Sequence, residues 1–180
     1  MSNTLTLSEF LAEKMEAAKI EVDIVRLAGL NILPGTCSDM GEGDEWPQVL
    51  KQIMAADILI FATPIWWNNL SSLMQRVVER LDELQDHVME GKPSGLEKKV
   101  AGIVVTGDSD GAQSVIAGLA NFFNGIALPL PPLSTLTVLW TRQAKGKTTT
   151  RKELLDYYKK EYADTAERMV KQLKAALEKK

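Results

Sequence analysis

Apolar residues recur with helical spacing at the start of the chain: Leu7, Phe10, Leu11, Met15 and Ala18 form one stripe between Glu9, Glu13, Lys14 and Glu16. This predicts a helix from about Thr4 to Lys19, with Ser2, Asn3 and Thr4 placed as capping residues are. Ile20 to Leu27 then alternates and is rich in Ile and Val, which predicts a strand. Leu30 to Met40, with Pro34-Gly35, reads as loop, and Gly41 to Glu45 as an acidic, solvated continuation. Trp46 to Ala55 reads as a short helix. Ile58 to Ala62 is a near-continuous apolar run, the pattern of a strand buried on both faces of a parallel sheet, and Thr63-Pro64 ends its ladder because proline has no N–H to donate.

The second half repeats the alternation. Leu70, Leu73, Met74, Val77, Val78 and Leu81 make an apolar helical stripe reaching about Asp86, with Ser71 or Ser72 as its cap. A polar link, His87 to Lys99, leads to Val100–Thr106, a second fully apolar strand, and then to the turn-rich Gly107-Asp108-Ser109-Asp110-Gly111. Ala112 to Phe123 is helical in pattern, Gly125 to Leu133 is a Pro-rich connection, and Ser134 to Trp140 has strand character. A basic link, Arg142 to Lys152, precedes an amphipathic helix over Leu154–Leu177. Helices and strands thus alternate, which predicts a doubly wound α/β domain spanning residues 1–180, a four-stranded parallel sheet with helices on both faces.

In such sheets ligands sit beyond the carboxyl ends of the strands. Two loops fall there. One is Thr63-Pro64-Ile65-Trp66-Trp67-Asn68-Asn69, which sets two flat aromatic side chains beside amides; the other runs from Thr106 to Gly111. A tryptophan pair serves a core or an interface more often than a ligand platform, and Asp108 and Asp110 suit turn and cap chemistry better than a metal. The helix start at Ser2, Asn3 and Thr4 offers free N–H groups to an anion.

Composition narrows the function further. The 180 residues are 45% hydrophobic, enough for one sizeable core, and a net charge of −3 offers no basic footprint for nucleic acid. One cysteine, Cys37, and one histidine, His87, leave no internal disulfide and no cluster for zinc, so no metal is expected and a reducing cytoplasm is. The uncharged stretch Gly111 to Thr141 is long enough to raise a membrane span, but Asn121, Asn124, Pro129, Pro131 and Pro132 interrupt it, and it reads as a buried helix plus a buried strand.

Ala56-Asp57 through Ile65-Trp66-Trp67 with Ser71, Met74, Arg80 and Leu81, and Val105 to Gln113 with Asn121-Phe122-Phe123-Asn124-Gly125, together resemble the flavin loops of the flavodoxin-like NAD(P)H-dependent FMN reductases. Ser2-Asn3-Thr4 is similar to the end of that family's phosphate loop, so the resemblance implies that the first strand and the first half of that loop are missing here. A misassigned start, a truncation and a natural variant all fit that gap. The resemblance implies FMN and NAD(P)H as cofactors, a small-molecule acceptor and a homo-oligomer. The FMN would be held by Ser2, Asn3, Thr4, Thr63, Pro64, Ile65, Trp66, Trp67, Asn68, Thr106, Gly107 and Asp108, with no catalytic side chain. A lone Cys37 where some relatives carry a cysteine cluster implies no iron–sulfur centre. A flavodoxin-like electron carrier and a flavin-free domain acting through assembly are the alternatives.

Overall fold

The structure, a computed structural model, describes residues 2–179. Three parallel strands, β1 (Ile58–Pro64), β2 (Val100–Gly107) and β3 (Thr135–Leu139), lie in that order, with Ile58 opposite Val100 and Ile103 opposite Thr135. The central strand β2 is buried along nearly its whole length. Its side chains alternate between two cores, as the period of two demands. Ala101, Ile103 and Val105 face helices α2 (Trp46–Ala55), α3 (Ser72–Arg80), α4 (Glu83–Met89) and α5 (Ala112–Gly125), while Val100 and Val104 face α1 (Asn3–Ala17), α6 (Arg151–Glu161) and α7 (Ala163–Glu178).

The expected fourth strand does not form. Residues 20–26 join no ladder, and Ile24 and Val25 are exposed. A strand needs a neighbour for its backbone groups, and none of the three ladder strands lies alongside this segment. The sheet therefore has three strands, and β1 is its margin. Asp57 O accepts from Val100 N–H and Ile65 N–H donates to Thr106 O, so the odd-numbered residues of β1 bond to β2. The backbone groups of Ile58, Ile60 and Ala62 point the other way, and among the described residues they meet no partner. Pro64 sits in this even-numbered set, so its missing N–H costs the ladder nothing and the strand runs through Thr63 and Pro64, two residues further than the composition suggests.

Two helices expected to be continuous are broken. The stripe from Leu70 divides at Leu81-Asp82, and the C-terminal helix divides at Tyr162, whose φ of −125° leaves the helical region. Each break lets both halves bury their apolar side, with Leu81 and Leu84 in one core and Tyr158, Met169 and Leu173 in the other.

The loop before α2 is held by a buried ion pair. Arg80 donates from Nη2 to Asp44 Oδ2 at 2.7 Å, with both side chains wholly buried, and from Nε and Nη1 to the carbonyls of Cys37 and Leu33. Burial pushes the Asp44 carboxyl up, but the Arg80 guanidinium and the N–H groups of Met40, Trp46 and Leu33 outweigh it and bring the carboxyl down to about 2. Among the described residues no helix is long and apolar enough to cross a membrane, and Gly111 to Thr141 divides into α5, a connection and β3.

Candidate functional site

Three sequence-predicted segments converge at the carboxyl end of the sheet. Thr4 Oγ1 shares a 2.6 Å hydrogen bond with Thr106 Oγ1 at the end of β2, and Asn3 Nδ2 donates to Gln143 O just beyond β3. The start of α1 is thereby fixed beside the strand ends. Ser2 caps the helix, its Oγ accepting from Leu5 N–H. The side chains expected to cradle a phosphate are thus engaged within the chain; what the helix start still offers is its backbone N–H groups and dipole.

Thr63 and Thr106 are buried, and both pin elements rather than face solvent. Thr63 Oγ1 donates to Pro64 O or Ser71 Oγ and accepts from Ser71 N–H, which ties the end of β1 to the cap of α3. Ile65 packs against Gly107 and Gly111: a Cβ on Gly107 would lie 2.8 Å from Ile65 Cδ1. Gly111, at φ +84°, also closes against Asn68, where a Cβ would meet Asn68 Oδ1 and come within 3.1 Å of its Cα. Glycine at these two positions lets the β1 and β2 loops touch.

The tip of the β1 loop is a tight turn. Trp66 and Asn69 exchange both backbone hydrogen bonds, at 3.0 and 2.8 Å, and the central residues Trp67 and Asn68 have φ of +49° and +62°, the type I′ pattern. A tryptophan in the left-handed region costs about 1–2 kcal/mol, and the turn uses it to hold the Trp67 side chain 92% exposed and Trp66 51% exposed. Asp108 lies exposed on the facing loop, accepting from Ser109 Oγ. Trp66, Trp67, Asn68 and Asp108 are the members of the predicted set whose side chains remain open to a ligand, and a flat, partly apolar ring between polar loops fits them.

Residues 1–144 match the family of NADPH-dependent FMN reductases. The chain belongs to that family. That family's cofactors are FMN and NAD(P)H. It is 36% identical over 89 residues to 8-demethyl-8-aminoriboflavin-5′-phosphate synthase of Streptomyces davaonensis, covering 49% of this chain and 35% of that protein. The chain spans between 20% and 42% of the length of the curated relatives it matches. Its fold is similar to RosB with bound 8-demethyl-8-formylriboflavin-5′-phosphate, at a TM-score of 0.80 and 23% identity over 99% of this chain and 73% of that one. It is also similar to a flavodoxin of Streptococcus pneumoniae, at a TM-score of 0.59 and 16% identity over 97% and 92%. These likenesses establish a flavodoxin-like fold.

One residue at the site carries no sequence signal of its own. Gln143 is buried in the basic link; its Nε2 donates to Gly107 O and Val138 O, and its Oε1 accepts from the Tyr158 hydroxyl at 2.9 Å. Burial pushes the Tyr158 phenol far up, so it stays a donor. Gln143 therefore joins the ends of β2 and β3, α6 and, through its carbonyl, Asn3 of α1.

Proposed function

We propose that this chain is an FMN-dependent oxidoreductase that takes a hydride from NAD(P)H and passes it to a quinone, a flavin or another small acceptor. The observation that carries this reading is the strained turn that presents Trp67 at the carboxyl edge of the sheet. Bound FMN supplies the hydride chemistry itself, so no side chain acts as nucleophile or base. Trp66, Trp67 and Asn68 would bind one side of the isoalloxazine and Asp108 its other edge, with Thr106 and Gly107 positioning the second loop. Thr63, Pro64 and Ile65 position the first loop by tying it to α3 and to Gly107 and Gly111. The backbone N–H groups at Ser2, Asn3 and Thr4 attract the phosphate end. The reading includes one domain over 1–180, cytoplasmic residence and a homo-oligomer in which the tryptophan pair borders a second subunit.

Titration with FMN, followed by flavin fluorescence and size-exclusion chromatography, tests it, with NADPH oxidation by the FMN-loaded protein as the second arm. Saturable one-to-one binding with protein-dependent NADPH oxidation is expected. A folded protein that leaves FMN free at every concentration contradicts it. That result would favour a flavin-free domain acting through assembly, a reading supported by the engaged side chains of Ser2, Asn3 and Thr4.

A further inference from the structure

Tyr158 carries a polar atom where the packing needs none. Its side chain is wholly buried in the second core, among apolar residues of α1 and α7 and with its ring 6.1 Å from that of Phe10, and phenylalanine would fill the same space. A hydroxyl in such a place is costly without a partner. Its partner is the Gln143 amide, whose Oε1 accepts from it at 2.9 Å. Burial keeps the phenol protonated, so the hydroxyl remains a donor. The matched family stretch ends at residue 144, so Gln143 lies just inside it and Tyr158 outside it.

That donation decides which way the amide faces. A primary amide has two N–H donors at one end and an acceptor at the other. Both Nε2 donors are used, on Gly107 O and Val138 O at 3.0 Å each, and Oε1 is used on the phenol. Turned over, the amide would set Oε1 against two carbonyl oxygens. In the observed orientation Gly107 O takes two donors, Gln143 Nε2 and Trp140 N–H, both at 3.0 Å. A peptide unit is planar and trans, so a Gly107 carbonyl fixed on the β3 side fixes the N–H of Asp108 on the opposite side, where β1 lies.

We propose that Tyr158 is a positioning residue for the second site loop: its hydroxyl locks the Gln143 amide, and the locked amide holds the Gly107–Asp108 peptide in the orientation that a ligand meets. The proposal rests on the flavin reading for the identity of that ligand, and it extends the site to α6, an element beyond the matched stretch. Tyr158 is wholly buried, so it acts on the loop only through Gln143, and the two residues contribute as one unit.

The test uses the full chain and Tyr158→Phe, which removes one oxygen and keeps the ring. In ligand-free 15N-labelled protein the Gln143 side-chain NH2 signals and the Gly107 and Asp108 backbone amides are expected to move, while the amides of α2, α3 and α4 stay in place. FMN affinity is expected to fall about three- to tenfold, the worth of one buried hydrogen bond. Val49→Ala, in the opposite core, is the control, expected to lower the urea midpoint and leave FMN affinity unchanged. In a Gln143→Ala background Tyr158→Phe should cost no further affinity. Unmoved signals from Gln143, Gly107 and Asp108 in Tyr158→Phe overturn the proposal and leave the flavin reading standing. A further loss of affinity in the Gln143→Ala background, or an equal loss in Val49→Ala, also overturns it. Moved signals in a protein that binds no FMN support the positioning role and remove the flavin reading.

Discussion

At the β3 side of the sheet one glutamine joins the strand ends: Gln143 Nε2 donates to Gly107 O and Val138 O, its Oε1 accepts from the Tyr158 hydroxyl and its backbone carbonyl accepts from Asn3. At the β1 margin the backbone groups of Ile58, Ile60 and Ala62 meet no partner among the described residues, and the segment with strand composition, residues 20–26, joins no ladder, with Ile24 and Val25 exposed. The contrast shows where the site draws its rigidity. The β2 loop and the start of α1 are tied through Thr106 and Gln143 to the β3 side, and the β1 loop reaches them through Ile65, Gly107 and Gly111. The loop before α2 is held separately, by the buried Arg80–Asp44 pair.

That contrast can be broken most forcefully at the pair itself. Arg80→Ala leaves Asp44 buried and uncompensated, and a loss of about 3–5 kcal/mol in urea unfolding is expected. Next is the β3 side, where Gln143→Ala leaves the buried Tyr158 hydroxyl without its partner and takes one donor from Gly107 O, which keeps Trp140 N–H, and one from Val138 O; a loss of about 1–3 kcal/mol is expected, together with weaker FMN binding. An unchanged FMN affinity in a folded Gln143→Ala protein would separate the site from this margin.

Acid sharpens the comparison. The Asp44 carboxyl is lowered in the fold from 3.8 to about 2, so its contribution is fully present above pH 3.8 and is lost as pH falls towards 2. About 2 kcal/mol should disappear across that window, and Asp44→Asn should flatten the pH profile there. The smallest effect belongs to the open edge: Ile24→Lys should change stability by no more than about 0.5 kcal/mol, and the amides of Ile58, Ile60 and Ala62 should exchange faster than those of Val100–Thr106. Slow exchange at those three would show that the margin is covered.

The central strand β2 is legible in the sequence because burial on both faces demands a continuous apolar run, β1 and β3 are legible from their apolar and β-branched residues, and the carboxyl-end loops follow from their order. Ile20–Leu27 has equal strand character in its residues, but a strand is defined by its neighbour, and propensity cannot supply one. The helix breaks at Leu81-Asp82 and Tyr162 are hidden because the apolar stripes run straight through them. Trp66 and Trp67 were visible as an aromatic pair, whereas Thr63 and Thr106 look like ligand contacts in sequence and act as pins. Gln143 was not legible at all: a single amide in a basic run has no periodicity and no motif, and its role exists only once β2, β3 and α6 meet.

The most direct test of the account is an FMN titration of the wild-type chain beside Trp67→Leu, a substitution at an exposed turn that leaves both cores untouched. Saturable one-to-one binding that weakens by roughly 10–100-fold in the variant, the worth of a stacked aromatic face of about 1–3 kcal/mol, is predicted. Equal affinity in the two proteins, or none in either, would contradict a flavin site built on the Trp67 turn.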